Sequence, residues 1–151
     1  MPARAVAEGR PLLEIYERDA FDAEMRRAGI AGLGSFVPQP PPNALLLLPL
    51  VRLDPTAAKA VWTLLLAAAY AGAFLVLRRA LEADAARLAL VFLLPSAALA
   101  NAFAYGQPYP LLLLALSASL AAALRGRWFR SGLLVAPVLL LKPYALSLIH
   151  I

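Results

Sequence analysis

The sequence predicts an all-α integral membrane protein: a polytopic helix bundle of about four spans, with one short re-entrant or interfacial helix. Hydrophobic residues make up 62% of the chain and charged residues only 15%, against roughly 45–50% apolar in soluble domains. The excess is gathered into Leu- and Ala-rich runs. Between the runs lie short segments that are either rich in arginine or broken by Gly and Pro, as loops between spans are.

Residues 1–36 differ from the rest. Five arginines (Arg4, Arg10, Arg18, Arg26, Arg27) face six acidic residues (Glu8, Glu14, Glu17, Asp19, Asp22, Glu24) in a nearly balanced segment without the apolar core of a secretory signal. Asp19 is expected to cap a short helix over 20–28, closed by Gly29. That helix places Phe21, Met25 and Ala28 on one face. Residues 37–43 hold Pro38, Pro40, Pro41 and Pro42 and predict an extended, polyproline-like linker, so that 37–56 comprises a linker and a short helix. The apolar run 44–51 is too short to cross a bilayer, which takes about 20 residues, and reads as a re-entrant or interfacial half-helix.

Residues 57–77 form the clearest span, about 31 Å long at 1.5 Å per residue. Lys59 snorkels at one end and Arg78 and Arg79 anchor the other. Residues 88–105 form a second span, with a kink at Pro95 and Ser96 placed to satisfy a backbone group freed there. Residues 110–124 form a third that reaches only about 22 Å, short for the hydrocarbon core. Residues 131–145 form a fourth, interrupted by Pro137 and by Lys142-Pro143. Arginine excess in 78–87 and 125–130 assigns both loops to the cytoplasm. The corner around Gly106, the linker and residues 1–36 then lie outside, and the protein is a multi-pass protein of the cell membrane. In such a chain the net charge of +5 reports loop arginines, and no nucleic-acid partner is expected. With no cysteine, the chain has no disulfide framework and no thiolate metal site.

Two features concern the ends. A first residue outside without a signal peptide predicts a further span upstream. Residues 146–151, Leu-Ser-Leu-Ile-His-Ile, resemble the translation of a transposase mosaic-end adapter and are expected to be non-native rather than an apolar helix continuation, so His150 receives no role.

The candidate site residues gather at one surface. The corner from Asn101 to Pro110 is the one long polar interruption between two apolar runs, and it presents Asn101, Tyr105, Gln107 and Tyr109 for hydrogen bonding to a ligand. Lys142 lies in an otherwise apolar Leu-Leu-Leu-Lys-Pro-Tyr segment, where a charge costs about 2.5–3.5 kcal/mol at mid-helix unless it finds a partner or snorkels to the interface.

The ordered series Gly9, Leu13, Tyr16, Phe21, then Phe36, Pro41-Pro42, Ala44-Leu45-Leu46 and Pro49-Leu50 precedes Trp62, Gly106-Gln107, Arg125-Gly126-Arg127, Gly132-Leu133 and Leu141-Lys142-Pro143. This series resembles glycosyltransferase family 87, the polyprenyl-phosphate-mannose-dependent transferases once grouped as a domain of unknown function. It departs where the family reads Gly-Gln-x-Asn, because Pro108-Tyr109 follows Gln107 here. The resemblance implies a partial bundle of GT-C type. It implies transfer of a hexose, mannose in the family, from a polyprenyl-phosphate donor to a lipid or glycan acceptor on the outer face, with no cofactor beyond that co-substrate. It implies Lys142 at the donor phosphate and Gln107, Asn101 and Tyr105 at sugar or acceptor. The general base of such enzymes is an acidic residue just after the first span, expected upstream of Met1 here, which leaves the fragment inactive alone. Asp19 and Asp22 are better explained by capping and ion pairing. The rival reading is a transporter or a non-catalytic polytopic protein. A transporter places its polar groups near the midplane, whereas here they cluster at one surface.

Overall fold

The computed structural model describes residues 2–9, 17–27 and 42–142. The chain divides after Asp54 into two compact units, and every described element is helical. The linker prolines before Pro42, the Gly29 stop, residues 143–145 of the expected fourth span and the 146–151 stretch lie outside the described residues.

Among the described residues the first unit contains three short helices: α1 (Pro2–Ala7), α2 (Arg18–Arg27) and α3 (Pro42–Leu47), the last running into a 3₁₀ turn over Leu48–Leu50. Pro49 cannot donate to a continuing helix, and the turn closes with Val51 N–H bonded to the Leu48 carbonyl at 3.2 Å. α1 packs on α3 and the turn, burying Ala3 and Ala44. α2 begins earlier than its capping signal predicts. Asp19 lies inside the first turn rather than at the cap, where its charge still favours the helix N-terminus.

The second unit holds the apolar helices: α4 (Pro55–Ala80), α5 (Ala85–Leu93), α6 (Ser96–Ala104), α7 (Tyr109–Leu124) and α8 (Trp128–Leu141). α4 packs on α7 and α7 packs on α8. The buried stripe of α4 is Leu66, Ala69 and Ala73, spaced to share one helical face. Small residues let the backbones close. At Gly72 an added Cβ would lie 3.3 Å from the Leu114 side chain. A second cluster joins Leu112 of α7 to Val138 and Leu141 of α8.

Three of the turns are built the same way. At Gly106 and Gly126 the chain takes a left-handed residue (φ 62° and 72°), and the N–H groups of the glycine and of the residue after it return to carbonyls of the last helical turn, as in a Schellman motif. The α4–α5 turn uses Glu82 in that position, at φ 50°, with Ala83 N–H bonded to the Arg78 carbonyl at 3.1 Å. Asp84 then caps α5 by accepting from Arg87 N–H at 3.0 Å.

The four-span expectation is met by one helix of full length. α4, with 26 residues, is long and apolar enough to cross a membrane, and only 17% of its apolar window is buried within the protein. Residues 88–105 are two helices, α5 and α6, bent by 63°. The break is at Leu94-Pro95, where proline removes a donor and clashes with the preceding turn. The Phe92 carbonyl at the break is satisfied from the neighbouring helix: the Tyr70 hydroxyl donates to it at 2.5 Å, the part foreseen for Ser96. The Tyr70 and Phe74 rings pack on Phe92 with centroids 5.0 and 5.4 Å away. α7 and α8 have 16 and 14 residues, or about 24 and 21 Å. Glycine turns claim the residues on either side of α7, and α8 ends at Leu141 because Pro143 disfavours helical geometry in the residue before it.

The broken helix generates a stability prediction. Tyr70→Phe keeps the ring stack and removes only the donor to the Phe92 carbonyl. It is expected to destabilise the protein by about 1–3 kcal/mol, read as a lower unfolding midpoint in detergent. An unchanged midpoint would show that another donor serves the break.

Candidate functional site

The site is assembled where α6 turns into α7. Tyr105 N–H bonds to the Asn101 carbonyl at 2.9 Å, Gly106 N–H to Phe103 at 3.2 Å, and Gln107 N–H to Ala102 at 2.7 Å. These bonds consume the last α6 carbonyls. They leave the Gly106 carbonyl pointing out of the turn, where Trp62 of α4 meets it: the indole Nε1–H donates to that oxygen at 2.8 Å. The ring also lies against the glycine, since an added Cβ would be 3.3 Å from Trp62 Cδ1. Glycine at this position therefore answers two demands, a positive φ and a close ring. Pro108 (φ −74°) then leads into α7, where proline near the helix start costs no hydrogen bond.

Lys142 reaches the same end from the other side. It caps α8 in an extended conformation, φ −142° and ψ 82°, and its Nζ lies 5.1 Å from the centre of the Tyr109 ring at the start of α7. That is cation–π distance. Tyr109 also forms part of an apolar hollow of about 200 Å3, bounded by Tyr70 of α4, by Pro95, Leu99 and Ala102 of the broken helix and by Pro110 and Leu113. One aromatic ring thus stands between a hydrocarbon-lined hollow and a cation.

The helix directions separate the charges. Trp62 meets Gly106 and Gly72 meets Leu114, so α4 and α7 run the same way. The Ser119 hydroxyl bonds to the Ser131 carbonyl at 3.0 Å and contacts its hydroxyl at 2.8 Å. Tyr109 meets Lys142, so α8 runs back. One end therefore carries the corner and Lys142. The opposite end carries Arg78, Arg79, Arg87, Arg125, Arg127 and Arg130 together with Glu82 and Asp84.

Each anticipated residue falls at the corner end. Tyr105 is 67% exposed and Gln107 is half-buried in the turn itself. Asn101 is exposed on α6, one turn earlier, and not packed between helices. Lys142 is half-buried on Tyr109. Trp62 and Tyr109 complete the arrangement. Their roles depend on contacts with Gly106 and Lys142, 44 and 33 positions away, and no local pattern announces them. Asp19 and Asp22 belong to the first unit.

Among known proteins, a family model described as glycosyltransferase family 87 matches residues 36–150. No curated protein and no solved structure matches the chain.

The clamp at the corner is directly testable. Gly106→Ala forces a side chain into a left-handed φ, worth roughly 1–2 kcal/mol, and against the indole. Trp62→Phe removes the donor but relieves part of the crowding. The double variant is expected to be less destabilised than the sum of the two, by about 0.5 kcal/mol or more, in unfolding midpoints. Strict additivity would mean that ring and turn do not act as a unit.

Proposed function

Because the chain belongs to glycosyltransferase family 87, a membrane-associated family that takes a sugar donor and an acceptor, we propose that it moves a hexose, mannose as the first choice, from a polyprenyl phosphate to a lipid or glycan hydroxyl at the extracytoplasmic face of the cell membrane. The observation that carries this reading is the pairing of Lys142 with Tyr109 beside an apolar hollow. A polyprenyl phosphate needs a cation for its head and hydrocarbon surface for its tail, and both meet at that ring. The separation of the corner from the arginine-rich end supports the orientation, since arginine accumulates on the cytoplasmic side. It also favours a transferase over a transporter, whose binding groups belong at the midplane. In this reading the helices form part of a multi-pass GT-C bundle, and the short α7 and α8 and the bent α5–α6 pair complete their crossing among neighbouring helices or in a thinned bilayer.

The chemistry follows from charge. The acceptor oxygen attacks the anomeric carbon and the bond from that carbon to the phosphate oxygen breaks. The phosphate leaves with the bonding pair, and a base takes the acceptor proton. Lys142 meets the growing negative charge on the phosphate as a point charge. Tyr105, Gln107 and Asn101 offer hydroxyl and amide groups to the sugar or acceptor. Between Pro55 and Lys142 the only carboxylates are Glu82 and Asp84, both at the arginine end, so the base is supplied from outside these helices. The lipid-linked sugar is the co-substrate, and the scheme uses no further organic cofactor.

Two outcomes test the proposal. Lys142→Met is expected to insert normally and to lower turnover with polyprenyl-phosphate-mannose by about 10²–10³, the usual loss for one electrostatic contact to a transition state. Lys142→Arg is expected to keep part of the activity. These assays use the protein in its native membrane complement. Wild-type turnover by the Met variant would reduce Lys142 to an interfacial anchor.

Orientation is tested separately. In a chain without cysteine, Tyr105→Cys is expected to react with an impermeant maleimide on intact cells and Arg127→Cys is not. The reverse pattern would remove the site from the outer face.

A further inference from the structure

We propose that the turn joining α7 to α8 is a binding site for the phosphate headgroup of an anionic phospholipid. The inference is independent of the transferase reading. Residues 124–130 are exposed throughout. Phe129 is 86% exposed and Trp128 72%, the two most exposed aromatic rings among the described residues. Gly126 folds the chain at φ 72°, with nothing within 4 Å of where its Cβ would stand. The result is a shallow open hollow of about 530 Å3 lined by Gly126, Arg127, Trp128, Phe129 and Arg130. Arg125 is exposed directly beside it.

Glu82 and Asp84 share this end, but neither pairs with the arginines of the turn. After Asp84 the sequence contains no Asp or Glu. None of Arg125, Arg127 and Arg130 makes an ion pair among the described residues. Three guanidinium groups within six residues thus face outward around two rings. Guanidinium forks match phosphate oxygens two at a time. Indole rings favour the headgroup level, where an apolar body meets a polar edge. A soluble phosphate compound would satisfy the arginines but not the rings.

Helix length places the turn at the right depth. The α7–α8 hairpin is about 21–24 Å long against a hydrocarbon core of about 30 Å. Its ends are therefore drawn toward the interface, and Leu120, Leu124 and Leu133 next to the turn are exposed apolar surface. Headgroup phosphates lie at that level. A hairpin this short brings the phosphates to its turn by thinning the bilayer and by snorkelling of the arginines, while Trp128 and Phe129 rest on the acyl boundary.

The test uses the two tryptophans of the full chain. Trp62 is at the opposite end, bonded to Gly106. The signal of Trp128 is then the difference between the wild-type protein and Trp128→Phe. The protein is reconstituted in phosphatidylcholine vesicles containing an equal mole fraction of phosphatidylglycerol. Bromine is carried on the acyl chains of one lipid or of the other. Quenching of Trp128 is expected to report phosphatidylglycerol enriched roughly fivefold or more around the ring, the factor that even one arginine near an anionic surface supplies.

The enrichment is expected to vanish in the Arg125→Gln, Arg127→Gln, Arg130→Gln triple variant. It is expected to persist in millimolar inorganic phosphate. Equal quenching by both brominated lipids would overturn the proposal. So would enrichment that survives in the triple variant. Loss of the enrichment on adding inorganic phosphate would identify a general anion site in place of a lipid site.

Discussion

A carbonyl released by a helix break cannot turn to water among apolar helices, where each unsatisfied backbone group costs several kcal/mol. Two breaks in the Pro55–Lys142 unit depend on α4 to meet that constraint. Tyr70 donates to the Phe92 carbonyl at the α5–α6 bend, and Trp62 donates to the Gly106 carbonyl at the corner. Their positions, eight residues apart, lie about 12 Å apart along one helix. The longest helix of the chain therefore supplies both polar ties that let the shorter helices break. Two serines make further ties among the described residues. Ser117 returns its hydroxyl to the Leu113 carbonyl of its own helix at 2.7 Å, and Ser119 reaches across to Ser131.

The same geometry explains why the polar groups segregate. α4 and α7 run in one direction and α8 in the other, so every arginine of the two tight turns is carried to one end. The lysine and the amide and phenol groups go to the other. A turn built on a left-handed residue is short enough to leave its neighbours exposed. At Gly126 those neighbours are arginines and aromatic rings, and at Gly106 the exposed neighbour is Tyr105, with Gln107 half-buried. The two glycine turns thus produce two chemically different surfaces, because the flanking residues differ.

Much of this was legible in the sequence. Apolar runs gave the helical class, and Gly106 marked a turn because only glycine enters the left-handed region without strain. Lys142 stood out as a charge in an apolar segment. What stayed hidden has physical causes. Glu82 occupies the same left-handed position without a glycine to announce it. Asp19 has a good capping side chain, yet the helix starts one residue earlier, since acidic residues also suit a first turn. Pro95 implied a kink, but a bend of 63° is set by how the freed carbonyl is satisfied, and the donor, Tyr70, is 22 residues from Phe92. The Lys142–Tyr109 and Trp62–Gly106 contacts are products of helix packing, which composition and periodicity do not encode.

Tyr109 shows how far such packing governs the chemistry available. Proline on both sides fixes its backbone at the start of α7, where the ring is 48% exposed. The bend at Pro95 opens the hollow on one side of it, and the end of α8 before Pro143 delivers Lys142 to the other. Straightening α5–α6 would close the hollow, and continuing α8 through Lys142 would turn the side chain with the helix and away from its extended conformation. Each interruption looks like a defect in a membrane helix when considered singly. Together they place a cation, an aromatic face and a hydrocarbon surface in contact at one end of the bundle, a combination that unbroken apolar helices do not provide.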